Sequence, residues 1–332
     1  MNIGGKSVVI MISVLILLSG AVSSSAQEAA AQIIENKAVN NSAASHIAKK
    51  ASLDLAPVLK LRLPDSGSAD GQKQTGQVKP TPAVALTFDL CMGQTDRRIF
   101  DVLVQNNIPT TLFVTRRWLD NPANAPIIET IKSRPDLFEI GNHGAEHIPP
   151  IDNRPTIYKL KTAGSAAAIC AEAQGGLKAI EQAGLAAQMS GKYWYRGAAA
   201  LYSPNALRLL HNEGYSIAGF SINGDAGATL SAKGAYAQIV SAKNGDVIIA
   251  HMNQPKRMAG AGVAAGILAL QKRSYRFIRL SQAEETETAP HLAEAGLSRD
   301  IFLRSVSAPA PEGVCPAASS ASVRASANRS AQ

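Results

Sequence analysis

Between residues 83 and 281 the chain switches repeatedly between two kinds of segment, and this alternation limits the possible folds more than any other feature. Seven short apolar runs read as strands: Val84–Asp89, Thr110–Val114, Leu137–Asn142, Tyr193–Arg196, Tyr215–Ile222, Val247–His251 and Tyr275–Leu280. Between them, Asp96–Asn106, Ala125–Ser133, Ala166–Ala183, Pro204–Glu213, Ala235–Ala242 and Ala261–Lys272 read as helices. Strands that alternate with helices predict βα units and a parallel sheet. Seven such strands fit a (β/α) barrel or an open doubly wound sheet. A chain of 332 residues with 46% hydrophobic content has ample material for the core of either. There is no internal repeat of fixed period.

The flanks differ in composition. Residues 1–26 read as a secretory signal, with Lys6 as the positive region, an apolar run from Val8 to Leu18, and the small residues Ser24, Ser25 and Ala26 before Gln27. The apolar run falls short of the roughly 20 residues a membrane-spanning helix needs. Ala21 stands where a lipidated cysteine would follow Leu18-Ser19-Gly20. The expectation is a soluble exported protein, periplasmic or secreted, with no stable membrane insertion after cleavage. Residues 27–80 read as a flexible linker, 81–281 as the folded domain, and 282–332 as a C-terminal extension whose last part, 306–332, is a disordered tail.

The net charge of +8 is spread along the chain, with no Lys/Arg run and no interleaved aromatics. This argues against nucleic acid as a partner and is compatible with attraction to an acidic glycan. The three cysteines, Cys91, Cys170 and Cys315, allow one disulfide and one free thiol in an oxidising compartment, and nothing in the sequence chooses the pair.

The chemistry gathers at the C-terminal ends of the predicted strands. The first strand ends at Asp89, the third at His143 with His147 four residues on, the fourth at Arg196, and the sixth at His251. The fifth runs into Asn223-Gly224-Asp225. Ligand sites of parallel α/β folds lie at that edge. Singly, each residue has a plain structural explanation: a cap for Asp89, an ion pair for Arg196, a satisfied core histidine for His251. Together they favour a site. The stretch His143-Gly144-Ala145-Glu146-His147 also fits the inverted zinc-protease pattern, which needs a helix. Gly144 and Pro149-Pro150 disfavour that helix and favour a loop.

In order, Val-Ala-Leu-Thr-Phe-Asp, His-x-x-x-His, Tyr-Arg, Gly-Asp and Asp-Val-Ile-Ile-Ala-His resemble the NodB-type polysaccharide deacetylases, a carbohydrate esterase family, over roughly residues 83–281. The resemblance implies a distorted (β/α) barrel, one divalent metal (zinc first, then cobalt or nickel) and an N- or O-acetylated polysaccharide substrate. It implies Asp89 as catalytic base and His143 and His147 as metal ligands. Arg196 would orient the base, Asp225 would tune the catalytic histidine, and His251 would be the general acid. Of the aromatics near Arg196, which are Tyr193, Trp194, Tyr195 and Tyr202, an exposed Tyr202 is expected to contact the sugar.

Three departures from the family pattern stand out. Leu90 occupies the position of a second aspartate, the usual third metal ligand. Gly197-Ala198-Ala199 follows Arg196 in place of Pro-Pro-Tyr. The fourth motif reads Ser221-Ile222-Asn223-Gly224-Asp225 and lacks its tryptophan. They imply either a divergent deacetylase or a non-catalytic glycan-binding or scaffold protein on the same fold. Candidates for the missing ligand are Cys91, Asp89, Asp96 and Glu146, with Cys91 expected to be packed or disulfide-bonded. The resulting expectation is a weakly bound metal, bound more tightly in Leu90→Asp.

Overall fold

The computed structural model describes residues 59–62, 81–287 and Cys315. Its centre is a parallel sheet of β1 (Ala83–Leu90), β2 (Thr110–Val114), β3 (Phe138–Asn142), β4 (Trp194–Tyr195), β5 (Ser216–Ile217), β6 (Ile222–Asn223), β7 (Val247–His251) and β8 (Arg276–Ile278). Seven strands run in the order β5-β4-β3-β2-β1-β7-β6, and β8 pairs with the first half of β1 beside that path. Every pairing in the sheet is parallel. The sheet curls into a distorted (β/α) barrel, as expected.

The helices are α1 (Arg97–Gln105), α2 (Arg116–Leu119), α3 (Ala125–Ser133), α4 (Ala166–Gln182), α5 (Pro204–Asn212), α6 (Ala232–Val240) and α7 (Ala259–Lys272). All six expected helices form, and only the one-turn α2 is new. Several start where a polar side chain satisfies the free amides of the first turn. Asp96 accepts from Arg98 N, Ser165 from Ala168 N, Ser203 from Ala206 N and Ser231 from Gly234 N. Pro204 then opens α5, where its missing N–H costs nothing. Glycine allows α7 to lie close against α6, because a Cβ at Gly262 would meet the Ala232 carbonyl.

Period-two alternation along β1 divides the interior into two layers. Val84, Leu86, Phe88 and Leu90 face outward into the core shared with the helices, among Ile99, Leu103, Ile131, Val263 and Ile267. Ala83 and Ala85 face inward among Phe113, Trp194, Val247 and Leu280. Thr87 and Asp89, also fully or nearly buried, continue the inner row.

The expected fifth strand, Tyr215–Ile222, forms two short strands instead of one. Its halves lie at opposite edges of the curled sheet, β5 beside β4 and β6 beside β7. Residues 218–221 cross from one edge to the other. A continuous apolar run cannot reveal such a crossing, because its signal is hydrophobicity and not pairing.

Two shorter pairings lie outside the main sheet. Leu59–Arg62 pairs antiparallel with Glu284–Glu287, placing a strand in the stretch read as linker. Thr156–Ile157 and Leu160–Lys161 form a small hairpin beyond the His143 loop. Cys170 on α4 is disulfide-bonded to Cys315, within the stretch read as a tail. The expected signal segment, the rest of the linker and the rest of the tail lie outside the described residues. Among the described residues, no helix is long and apolar enough to cross a membrane.

Candidate active site

Strand register builds the rim. His251 pairs with Asp89 across β7 and β1, Val114 with Asn142 across β2 and β3, and Asn142 with Tyr195 across β3 and β4. The residues that follow Asn142 and Tyr195, namely His143 and Arg196, therefore emerge level with Cys91, two positions beyond the Asp89–His251 pair. The structure brings together six of the seven site residues expected from sequence: Asp89, His143, His147, Arg196, Asp225 and His251.

Arg196 lies fully buried inside the barrel. Its Nη1 donates to Asp89 Oδ1 at 2.9 Å and to Thr87 Oγ1 at 2.8 Å. Its Nε and Nη2 donate to the carbonyls of Ala218 and Gly219, both at 3.0 Å, on the segment that crosses between the sheet edges. The guanidinium also stacks on Phe113, 4.2 Å from the ring centre. One side chain thus fixes the carboxylate and ties the closing segment of the barrel. Burial alone would raise the Asp89 carboxyl, but His143, Arg196 and His251 outweigh it and hold the group below its usual value. Asp89 is ionised at neutral pH.

The histidine loop is held from several sides. Asn142 Oδ1 accepts from Gly144 N, and Glu172 on α4 accepts from the amides of Glu146 and Ile148, each at 3.0 Å. Gly144 has φ +86°, and a Cβ there would collide with the Glu172 carboxylate. His147 also adopts a left-handed φ of 64°, a conformation that side chains other than glycine hold only when neighbours enforce it. Burial raises the Glu172 carboxyl, partly offset by the Ile148 and His147 amides it accepts.

His143 Nδ1 lies 2.5 Å from the Arg196 carbonyl oxygen, so it donates there and leaves Nε2 directed into the site. Cys91 Sγ is 3.5 Å from that Nε2, and Asp89 Oδ2 is 3.7 Å from it. Ligand atoms of Cys91, His143 and His147 all lie within 4.8 Å of one another. Burial would raise the Cys91 thiol, but His143, with His147 and His251, pulls it well below its ordinary value. Burial would lower His143, and Asp89 and Cys91 raise it. Two imidazoles and a thiolate suit zinc or cobalt, so these residues fit the divalent metal that the fold family uses.

On the other side of the site, His251 Nδ1 donates to Asp225 Oδ1 at 2.9 Å, while Asp225 Oδ2 accepts from the His251 amide at 2.6 Å. Burial would lower His251. Hydrogen bonds to Asp225 and Cys91 and the charges of both raise it well above the ordinary imidazole value. The imidazolium form is favoured at neutral pH, beside an ionised carboxylate on the adjacent strand.

Three expectations are corrected here. Tyr202 is fully buried in a cluster with Ile169, Tyr195 and Tyr215, and its hydroxyl accepts from Gly197 N at 2.8 Å. It props the backbone after Arg196 and cannot touch a sugar. Tyr193, the partly exposed aromatic of the four, precedes β4 and stands away from the rim. Leu90 belongs to the outer core, so a carboxylate at this position would point among apolar side chains and away from the histidines. Cys91 is buried, as one of its two expected fates had it, but it is not disulfide-bonded: it is the free cysteine and lies at the site. Asp96 is occupied by its cap and by Arg98, and Glu146 pairs with Arg116. Sequence reasoning missed Thr87 and Glu172. Thr87 carries an inward parity signal in β1, but Glu172 lies mid-helix among alanines and carries no signal at all.

The profile of the family described as Polysaccharide deacetylase matches residues 76–218. No curated protein matches the chain. Among solved structures, a CE4 family pseudoenzyme from Bacillus anthracis is 16% identical, with a TM-score of 0.48 over 61% of this chain and 65% of its own, so the chain spans slightly under two thirds of it. A family 4 acetyl xylan esterase from Clostridium thermocellum, in complex with a cobalt ion, is 22% identical, with a TM-score of 0.47 over 60% of this chain and 89% of its own. PdaA of Bacillus subtilis, a family 4 carbohydrate esterase, is 18% identical, with a TM-score of 0.46 over 73% and 88%. The matched segment 76–218 contains Asp89, both loop histidines and Arg196, while Asp225 and His251 lie beyond it. Residues 76–218 are therefore similar to the polysaccharide deacetylase family, in agreement with the resemblance read from the sequence.

Proposed function

We propose that this protein is an exported hydrolase that removes acetyl groups from an N-acetylated, or O-acetylated, polysaccharide. The observation that carries the reading is geometric: a carboxylate paired with a guanidinium and, on the neighbouring strand, an imidazole paired with a second carboxylate. Asp89 is held ionised by Arg196, and His251 is held protonated against Asp225. A protein that only binds glycan has no use for such a pair.

Held at His143 and His147, a divalent metal would polarise the acetyl carbonyl and acidify a water. Asp89 takes a proton from the attacking water as its oxygen bonds to the acetyl carbon. His251 gives its proton to the departing nitrogen or oxygen of the sugar as the bond to the acetyl carbon breaks. The products are acetate and a free amine or hydroxyl. Arg196 keeps Asp89 oriented and favours its ionised form before the attack, and Asp225 orients His251 and favours its protonated form until the proton is given up.

Export rests on the composition of residues 1–26 and is supported by the Cys170–Cys315 bond, since disulfides persist in oxidising compartments. The test is acetate release from peptidoglycan, chitin oligomers and acetylated xylan, with and without chelator. Chelator-sensitive release is expected from at least one of them. Binding to a glycan without release from any would favour the non-catalytic alternative.

A further inference from the structure

We propose that Cys91 is the third protein ligand of the metal, giving a thiolate–imidazole–imidazole site where the family uses carboxylate and two imidazoles. The inference deepens the deacetylase reading and rests on it only for the presence of a metal. Three observations carry it. Cys91 Sγ, His143 and His147 converge within 4.8 Å, with the sulfur 3.5 Å from His143 Nε2. Ligand atoms around a tetrahedral zinc stand roughly 3.3–3.6 Å apart, given its usual Zn–N and Zn–S lengths. The trio is therefore close to a coordinating arrangement before any ion arrives. The tautomer is also prepared, because the Arg196 carbonyl takes the Nδ1 proton of His143 and leaves Nε2 free.

The third observation is the parity of β1. Asp89 faces the barrel interior, Leu90 the outer core, and Cys91 the interior again. The residue that replaces the second aspartate cannot reach the histidines, but the next one does. Its backbone is pinned there, since Thr115 Oγ1 donates to the Cys91 carbonyl at 2.5 Å and Asn253 Nδ2 to the Met92 carbonyl at 2.7 Å. Of the competing carboxylates, Asp96 is engaged with Arg98 and Glu146 with Arg116, while Asp89 gives Oδ1 to Arg196 and its Oδ2 lies 3.7 Å from His143 Nε2, farther than the sulfur. The other two cysteines are bonded to each other, so the thiol is single and assignable. On binding, the thiol releases its proton to solvent and sulfur donates a pair to the metal. A soft donor in this position selects zinc, cobalt or cadmium over magnesium or manganese.

The test is titration of the metal-free full-length protein with cobalt, read by absorption. The wild-type protein is expected to bind one cobalt with a thiolate-to-cobalt charge-transfer band in the near ultraviolet. Cys91→Ser should lose that band and bind cobalt at least about tenfold more weakly, since loss of a mere supporting partner already costs that much. Circular dichroism establishes that the variant is folded; if it is not, the wild-type spectrum alone decides. Cobalt bound by the wild type without a charge-transfer band overturns the assignment, as does unchanged affinity in folded Cys91→Ser. An acetylated Cys91 found by mass spectrometry during turnover would also overturn it, by making the thiol a nucleophile. A charge-transfer band in a protein that releases no acetate would leave the ligand assignment standing and remove the deacetylase reading. Chelator-sensitive release without the band would do the reverse.

Discussion

Replacing Arg196 by methionine removes the cation that justifies a buried carboxylate. Asp89 is 3% exposed and Arg196 is 0% exposed, so solvent does little to screen either. Breaking one partner of such a pair costs about 3–5 kcal/mol, mostly from the charge left behind. The Ala218 and Gly219 carbonyls and Thr87 Oγ1 lose donors at the same time. In a folded region of this size, each kcal/mol corresponds to roughly 2–4 °C, so a fall in Tm of roughly 6–20 °C is expected. The remaining carboxylate is also easier to protonate. In the intact protein Asp89 has a depressed folded-state value, so its stabilisation is present above the unfolded carboxylate value and is lost as pH falls through the folded one. Without Arg196 that loss begins at higher pH. Adding Asp89→Asn to Arg196→Met removes the stranded charge and should recover a large part of the Tm, whereas Asp89→Asn alone should stop acetate release in a protein that still folds but melts lower, because Arg196 loses its counter-charge. Thermal melts of the two single variants and the double variant, followed by circular dichroism, measure the coupling. An Arg196→Met protein within about 0.5 kcal/mol of wild type, the range of an ordinary surface substitution, would refute the argument.

Other outcomes follow from the same geometry. His251→Ala should lower turnover about 10²–10⁴-fold while leaving metal content nearly unchanged, as read by acetate release and elemental analysis. Asp225→Asn removes the group that raises His251, so the alkaline limb of the pH–rate profile should move to lower pH. For the same reason the pair stabilises the intact protein below about pH 6.5, the unfolded imidazole value, and this is lost as pH rises through the folded one. Glu172→Gln puts an amide donor against loop N–H groups and should weaken cobalt binding about 10–100-fold, measured by titration. Tyr202→Ala should lower Tm through the lost core volume and leave glycan affinity unchanged, which a binding isotherm on an acetylated oligomer would check.

Much of this was legible in residues 83–281 because parallel βα units announce themselves twice, in hydrophobic period and in what stands at strand ends. Asp89, His143, Arg196 and His251 could be placed on one rim because each follows an apolar run. Tyr202 failed this logic: proximity in sequence to Arg196 said nothing about which way its ring turns, and just before α5 it turns back into the core against Ala206 and Leu210. Leu90 was read through the family pattern, residue for residue, although strand parity alone points it away from the histidines and Cys91 toward them. The split of Tyr215–Ile222 was invisible because a crossing between sheet edges leaves no mark on composition. Glu172 reaches the site from a helix packed against the loop, a relation that only tertiary structure supplies.

The placement of β7 has a consequence for how the chain is made. β1 pairs on one side with β2 soon after both are synthesised, but its other edge waits for β7 over Ala85–Asp89 and for β8 over Ala83–Ala85, and β1 and β7 exchange contacts across 161 residues, as from Thr87 Oγ1 to the Ile248 carbonyl. Until β7 emerges, the edge of Ala85–Asp89 stays open, and β1 is largely apolar and free of proline and of positive charge. An open strand edge of that kind is a template for pairing with other chains. Slow folding is expected where such distant pairing must close last. The same step that completes the active site, with His251 arriving beside Asp89, is therefore the step that removes the chain's main hazard of self-association during folding.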